Sequence, residues 1–107
     1  MKVTVAATQM ACGVDRDANI GNAERLIREA ARRGANVILI QELFESPYFC
    51  KDHLAKHFEL ATPIAENPAI RRLSKVAAEL GVVLPLSVFE RGHNAYFNSL
   101  VMVDADG

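Results

Sequence analysis

Residues 18–41, ANIGNAERLIREAARRGANVILIQ, decide the fold, because within them a helix pattern gives way to a strand pattern. The apolar residues of the first part recur every three or four positions, which predicts an amphipathic helix over 18–33. Four large aliphatic residues in succession then predict a strand over 36–41 that is covered on both faces. Asp17 is the expected N-cap of the helix, and Gly34 stands where a left-handed residue would end it.

The sequence on either side places this helix and strand in a larger unit. Residues 3–11 are apolar and β-branched at the start, and they predict a mostly buried strand. Together with the helix and the strand that follow, they form a right-handed βαβ unit. Residues 43–66 contain aromatic residues and two prolines without a sustained period. They predict a long structured loop of the kind that carries function, with one short helix around His53–Phe58.

The remainder of the chain predicts one more helix and a hairpin. The Asn-Pro pair at 67–68 is a helix-start signal, and Gly81 ends that helix. Strand 82–90 contains Pro85, whose missing N–H implies a sheet edge, a bulge or a local irregularity. A turn leads into strand 95–103, which forms the second arm of the hairpin. The predicted fold class is therefore α/β with a mixed β-sheet.

Length, composition and charge limit the class of protein. A chain of 107 residues is one domain or part of one, and 50% hydrophobic residues exclude a disordered chain. Twelve Lys and Arg against 13 Asp and Glu give a net charge of -1, so no basic field exists for nucleic acid. The apolar runs are short and residues 1–10 lack a signal-peptide core, so we expect no membrane span and a cytoplasmic location.

Glu42 is the first candidate for chemistry, because it directly follows the aliphatic run of the second strand. It should lie at the carboxyl end of a buried parallel strand, where ligand sites of α/β sheets collect. We expect a partly desolvated carboxylate facing a cavity, as suits a general base or acid. A solvated glutamate at a strand end is the alternative. Glu45, three residues further, is a weaker candidate.

The cysteines and histidines give weaker signals. Cys12 and Cys50 have no adjacent base or cationic group in the sequence, which favours reduced, small buried side chains over nucleophiles. His53 and His57 would share one helix face, but Leu54 replaces the glutamate of an HExxH zinc motif. We therefore expect an exposed pair and no metal site. The chain also lacks the GxGxxG and GxxxxGK patterns of phosphate-binding loops.

The stretch QELFESPYFC, residues 41–50, resembles the nitrilase superfamily of carbon-nitrogen hydrolases. The segments KVTVAATQMAC, ARRGANVILIQELF, AELGVVLPLSVFE and NAYFNSLVMVDADG are similar to the N-terminal portion of that family, in the same order. The resemblance implies an αββα sandwich, of which residues 1–107 are the N-terminal part of the hydrolase domain, incomplete at Gly107. It also implies a homo-oligomer.

The resemblance assigns Glu42 the role of general base in a glutamate, lysine and cysteine set. Tyr48 matches a position close to the substrate pocket in relatives. The family's lysine and cysteine lie downstream of the segment that ends at Gly107, so residues 1–107 alone are expected to be inactive. The implied reaction is hydrolysis of N-carbamoylputrescine to putrescine, carbon dioxide and ammonia. Besides further copies of the chain, its expected partner is the small-molecule substrate, with no nucleic acid or membrane, and no metal or organic cofactor is required.

Two alternatives stay open at this point. An enzyme of the same fold could hydrolyse another linear ureide or amide, such as N-carbamoyl-β-alanine. A small α/β ligand-binding module could instead use Glu42 as a polar contact without chemistry. A lysine-containing segment after Gly107, followed by a strand ending in a cysteine, would decide for an enzyme.

Overall fold

A computed structural model describes residues 1–48 and 55–107, and in them strands and helices alternate before a closing hairpin. The elements are β1 (Val5–Ala7), α1 (Arg16–Arg32), β2 (Val37–Leu39), two short 3₁₀ helices (Ala55–Leu60 and Ile64–Glu66), α2 (Pro68–Leu80), β3 (Leu84–Arg91) and β4 (Tyr96–Val103). The expected order of elements is confirmed. The strands at the front are shorter than predicted, since β1 occupies three residues of the nine from 3 to 11.

The strands form two two-stranded ladders, β1–β2 and β3–β4, which an isolated bridge between β2 and β3 places side by side in the order β1, β2, β3, β4. β1 pairs with β2 in parallel, with Val5 opposite Val37. β3 and β4 pair antiparallel along their full length. A parallel bridge between Val37 and Val83 joins the two halves, where Ile38 N donates to Val83 O at 3.0 Å and Val83 N donates to Asn36 O at 2.9 Å. The predicted α/β fold is confirmed, and parallel and antiparallel pairs lie side by side as a mixed sheet requires, but one isolated bridge joins them.

Pro85 explains why the pairing between β2 and β3 stops after one bridge. Both the N–H and the C=O of Val83 point toward β2, so Pro85, two residues further, faces the same neighbour. Proline has no N–H to donate, and the parallel ladder ends after the Val37–Val83 bridge. The antiparallel ladder to β4 continues past Pro85 to the end of the strand. The local irregularity predicted at Pro85 is confirmed.

The ends of α1 differ slightly from the prediction. Asp15, not Asp17, is the N-cap, and its Oδ1 accepts a hydrogen bond from Ala18 N at 3.2 Å. Asp15 has the extended backbone that an N-cap requires, whereas Asp17 lies in the first turn, where its charge still favours the helix dipole. Gly34 has a φ of 94°, which confirms the predicted left-handed residue after the helix.

The ends of α2 are as predicted. Asn67 is the N-cap, with its Oδ1 accepting from Ile70 N at 2.9 Å, and Pro68 occupies the first helical position. Gly81 ends the helix with a φ of 66°, in the left-handed region. The caps of α2 are local sequence signals, which is why they could be identified without knowledge of the packing.

Both helices pack on one face of the sheet, here called the inner face. Its core is built from apolar side chains of α1, α2 and all but the first strand: Ile20, Ala23, Ile27, Ile38, Ile40, Phe44, Leu73, Val76, Ala77, Leu84, Leu86 and Val103. Burial of this face supplies the hydrophobic free energy that holds helices and sheet together. The helices cross the sheet as one layer, so they cannot also cover its other side.

The opposite face of the sheet, here called the outer face, carries exposed apolar side chains. They include Val5, Leu39, Leu100 and Met102, exposed by 72%, 48%, 61% and 62%. The predictions of a mostly buried first strand and of a second strand covered on both faces are therefore wrong for the described residues. Ile38 and Ile40 are buried, but Leu39 between them points to the outer face. No helix within residues 1–48 and 55–107 is long and apolar enough to cross a membrane.

Candidate active site

Glu42 lies on the turn that follows β2, at the carboxyl end of that strand. It borders a cleft of about 340 Å³ on the outer face, lined by Ala7, Thr8, Leu39, Ile40, Gln41, Glu42, Ser87 and Leu100. The side chain is exposed, so the predicted desolvation of this carboxylate is wrong for the described residues. The reason is that both helices cover the inner face, while Glu42 borders the outer one. Glu42 does border a cleft, but its side chain is not directed away from bulk water as predicted, and its role as general base stays a prediction.

A hydrogen bond from β4 holds the carboxylate of Glu42. Asn98 donates from Nδ2 to Glu42 Oε1 at 2.6 Å. The other end of the same amide, Asn98 Oδ1, accepts a long hydrogen bond from Ser87 Oγ at 3.5 Å. Ser87 Oγ in turn accepts from Leu43 N at 3.1 Å. The side chain of Glu42 and the backbone beside it are thus both tied to the β3–β4 hairpin.

Leu43 adopts a left-handed backbone with a φ of 50°, which is unusual for a residue with a side chain. This conformation costs on the order of 1 kcal/mol, and it persists where the surroundings hold it. The hydrogen bond to Ser87 and the burial of the Leu43 side chain supply that support. The turn separates Glu42, which points outward, from Phe44, which is in the core.

Gln41 joins the segments that follow β1 and β2. Its Oε1 accepts from Met10 N at 2.7 Å, and its Nε2 donates to Met10 O at 2.8 Å and to Cys12 Sγ at 3.3 Å. These bonds fix the segment after β1 directly beside the turn that carries Glu42. A site at this edge of the sheet is therefore bordered by the segment after β1, which these three hydrogen bonds hold to Gln41.

Cys12 is half-buried, and burial raises the pKa of its thiol. A raised pKa keeps the sulfur protonated at neutral pH, whereas a nucleophile needs the thiolate. The structure therefore supports the prediction that Cys12 is not a nucleophile. Cys50 lies outside the described residues, and its interpretation as a structural side chain stays a prediction.

Glu45 is the acidic residue that is desolvated in this region. It is only 7% exposed, and this burial raises the pKa of its carboxyl group, against the opposing effects of Asn67 and Arg16. Arg16 Nε lies 3.5 Å from Glu45 Oε2, and Asn19 donates from Nδ2 to the Glu45 backbone oxygen at 2.9 Å. Glu45 thereby links the start of α1 to the turn after β2. Sequence position alone indicated the opposite order of burial for the two glutamates.

The other candidate residues lie away from this cleft or outside the described part of the chain. Tyr48 is 47% exposed and, among the described residues, does not belong to the lining of the cleft beside Glu42. His57 lies in the 3₁₀ helix Ala55–Leu60, whereas His53 is not among the described residues. Within residues 1–48 and 55–107, no three or more His, Cys, Asp or Glu are grouped to hold a metal ion.

Sequence reasoning missed Asn98 and Ser87. One signal was available for Asn98: alternation along YFNSLVMV places it on the same strand face as Leu100 and Met102. A lone amide on an otherwise apolar face is a candidate for a specific polar contact. Ser87 gave no such signal, since a serine inside a strand is common. Their link to Glu42 depends on strand register, which the sequence does not specify.

Comparison with known protein families identifies the family of this chain. The family model for carbon-nitrogen hydrolases matches residues 4–107. The chain belongs to this family. The solved carbon-nitrogen hydrolase of Helicobacter pylori G27 is similar to it, with a TM-score of 0.83 at 28% identity over 97% of this chain and 36% of that one. The α/β fold of this carbon-nitrogen hydrolase chain is thus that of a part of a nitrilase-like fold, as predicted.

Curated relatives of this carbon-nitrogen hydrolase chain include N-carbamoylputrescine amidases and a citrullinase. The N-carbamoylputrescine amidase of Oryza sativa subsp. japonica is 51% identical over 106 residues, which are 99% of this chain and 35% of the relative. A citrullinase of Francisella tularensis subsp. tularensis is 40% identical over 105 residues, which are 98% of this chain and 37% of the relative. The chain spans about a third of the length of the curated relatives that it matches.

Proposed function

We propose that the full-length protein is an N-carbamoylputrescine amidase. It hydrolyses the ureido group of N-carbamoylputrescine to putrescine, carbon dioxide and ammonia. The observation that supports this proposal most is the 51% identity to the rice N-carbamoylputrescine amidase over almost the whole of this chain. The placement of Glu42 at the edge of an outer-face cleft is consistent with it, because the carboxyl end of a sheet is where such a site forms.

In this proposal Glu42 moves protons for a cysteine thiol and a lysine that the family resemblance implies downstream of residue 107. The thiol sulfur attacks the ureido carbonyl carbon, Glu42 takes the thiol proton, and the lysine ammonium stabilises the oxyanion. When the tetrahedral intermediate collapses, the C–N bond to the terminal nitrogen breaks, and Glu42 delivers the proton that makes ammonia.

Water then completes the reaction. Glu42 takes a proton from a water molecule, whose oxygen attacks the carbonyl of the S-carbamoyl enzyme. The C–S bond then breaks, and Glu42 returns the proton to the departing sulfur, which restores the thiol. The product carbamate loses carbon dioxide and leaves putrescine. The hydrogen bond from Asn98 occupies one direction on Oε1, and a carboxylate has about four lone-pair sites, so Glu42 retains acceptor capacity for both proton transfers.

Two further ureides test the substrate class. Citrulline is a competing candidate, because a citrullinase is 40% identical to this chain. It shares the terminal ureido group with N-carbamoylputrescine but carries an α-amino acid head instead of a primary amine. N-carbamoyl-β-alanine also shares the ureido group but ends in a carboxylate. The three compounds therefore differ in charge at the end remote from the reacting carbon.

The experiment is an ammonia-release assay of the full-length protein with all three ureides. We expect the highest kcat/KM for N-carbamoylputrescine, with stoichiometric putrescine as second product. A higher kcat/KM for citrulline or N-carbamoyl-β-alanine would assign another amidase specificity. Stoichiometric binding without turnover of any of them would favour the ligand-binding module.

We also propose that the full-length protein is a homo-oligomer in the cytoplasm. The family resemblance supports the oligomer, and the apolar outer face provides surface that further chain or a second copy would cover. Light scattering of the full-length protein gives the solution mass. A monomeric mass would contradict the proposal.

Tyr48 remains a proposed substrate-binding residue. Its support is the resemblance alone. Replacement of Tyr48 by Phe should raise KM for N-carbamoylputrescine more than it lowers kcat, since binding contacts that are equal in ground and transition states act on KM.

A further inference from the structure

The Glu42 carboxylate sets the direction of the Asn98 amide, because carboxylate oxygens only accept and therefore require Nδ2 on their side. Oδ1 accepts from Ser87 and Nδ2 donates to Glu42. Asn98 lies on β4, which is paired with β3 along its full length, so its backbone is well anchored. A donor that is anchored and oriented in this way limits the rotations of the longer glutamate side chain.

Ser87 extends this control to the backbone beside Glu42. Its hydroxyl donates to Asn98 and accepts from Leu43 N. The same hydroxyl therefore faces the residue that follows Glu42 and the residue that holds the Glu42 carboxylate. Leu43 has a left-handed backbone conformation, which residues other than glycine rarely adopt. Loss of this hydrogen bond would remove one of the contacts that hold Leu43 in it.

We propose that Asn98 is a positioning residue that, with Ser87 behind it, orients the Glu42 carboxylate in the outer-face cleft. This inference rests on the proposed function, in which Glu42 is the general base. Asn98 holds Oε1, which leaves the rest of the carboxylate directed for proton transfer. It acts through Glu42 and takes no proton itself, since an amide N–H is not acidic enough near neutral pH.

The test compares Asn98→Asp with Asn98→Ala in the full-length protein. Asp keeps the shape of Asn, but as a carboxylate it cannot donate and places a second negative charge beside Glu42. We expect both variants to lower kcat by about 10²-fold with little change in KM, because small misplacements of a reacting group have effects of this size. If Asn98 acted only through its shape, Asn98→Asp would keep the wild-type kcat, and the inference would be overturned.

Ser99→Ala is the matched control. Ser99 is the next residue on the same strand and also donates to a carboxylate, Glu90 Oε1 at 2.7 Å. Alternation turns it to the opposite strand face, so its removal should leave kcat within about twofold of the wild type. A loss equal to that of Asn98→Ala would overturn the inference, because any strand damage would then suffice.

Glu42→Gln separates this inference from the proposed function. If Glu42→Gln keeps normal turnover, the general-base role itself fails. If Glu42→Gln is inactive while Asn98→Asp is normal, only the inference about Asn98 fails. Residual turnover of the Glu42→Gln variant should fall little further when Asn98→Asp is added, since Asn98 acts through Glu42. A fully multiplicative loss in the double variant would overturn the inference.

Discussion

Glu42 and Glu45 are three residues apart but lie in opposite environments. The left-handed turn at Leu43 separates them: Glu42 remains at the exposed outer-face cleft, and Glu45 is buried beside Arg16. Sequence analysis identified Glu42 as the candidate from its place after the aliphatic strand. It could not foresee the burial of each glutamate, because burial is set by the turn and by the elements packed around it.

Glu42→Gln should retain the fold and lower kcat for N-carbamoylputrescine by about 10² to 10⁴, the usual contribution of a general base. Gln keeps the size of the side chain and an acceptor oxygen for Asn98, but it cannot take a proton. Steady-state kinetics of the full-length protein measure the effect. Glu90→Gln is the control, because Glu90 also accepts a side-chain hydrogen bond, from Ser99. Turnover of Glu42→Gln close to the wild type would refute the role.

Glu45→Gln should stabilise the protein more at high pH than at low pH. Burial raises the pKa of the Glu45 carboxyl group in the folded state above its unfolded value. The wild type therefore loses stability as pH rises from the unfolded pKa through the raised one, while the neutral Gln variant has no such loss. Thermal unfolding from pH 4 to 8 should show a growing advantage in Tm for the variant.

Glu59→Gln is the control for this titration, because Glu59 is exposed. The Tm difference between Glu45→Gln and the wild type changes with pH in opposite directions under the two possible explanations. If the wild type instead gained Tm over Glu45→Gln with rising pH, attraction by Arg16 would outweigh the desolvation of Glu45.

At the scale of elements, the helices were more predictable than the strands. Asn67, Pro68, Gly81 and Gly34 are local signals whose effect depends on the helix backbone alone. The extent and coverage of β1 and β2 depend on which sheet face the helices occupy. An aliphatic run such as VILI is compatible with one covered face or with two, so the sequence could not distinguish them.

The two N-caps should differ in their contribution to stability. Asn67 is buried, caps α2 and also donates to Thr62 Oγ1 at 3.1 Å, whereas the cap bond of Asp15 is exposed. Asn67→Ala should lower the free energy of unfolding by about 2 kcal/mol and Asp15→Ala by about 1 kcal/mol or less. Urea denaturation of both variants measures this. Equal losses would contradict the greater role of the buried cap.

For the molecule as a whole, the main feature is the outer face, an exposed apolar surface that no described element covers. A polypeptide of residues 1–107 alone exposes Val5, Leu39, Leu100 and Met102 on one side of the sheet. We expect this polypeptide to self-associate and to hydrolyse no N-carbamoylputrescine above background. Light scattering and an ammonia assay test both expectations. Leu100→Lys should reduce the association, while Val14→Lys, at an exposed apolar residue in the loop before α1, should not.

A monodisperse monomer of residues 1–107 would contradict the first expectation. Turnover by the same polypeptide would contradict the second and would require a nucleophile within it. The Cys50→Ser variant would then show whether Cys50 supplies that nucleophile.

The proline on β3 also divides the sheet into two parts that can open separately. The β3–β4 ladder joins residues close in sequence, so the hairpin can form early and alone. The β1–β2 pair needs α1 to cross between its strands. Among the described strands, its backbone pairing with the hairpin is the Val37–Val83 bridge, and side-chain bonds of Ser87 and Asn98 hold the turn after β2. Amide hydrogens of Ala6 and Thr8, which face β2, should therefore exchange with solvent deuterium by openings that leave the hairpin amides protected. In this way one missing N–H allows the β1 edge to open while the hairpin keeps its hold on the turn that carries Glu42.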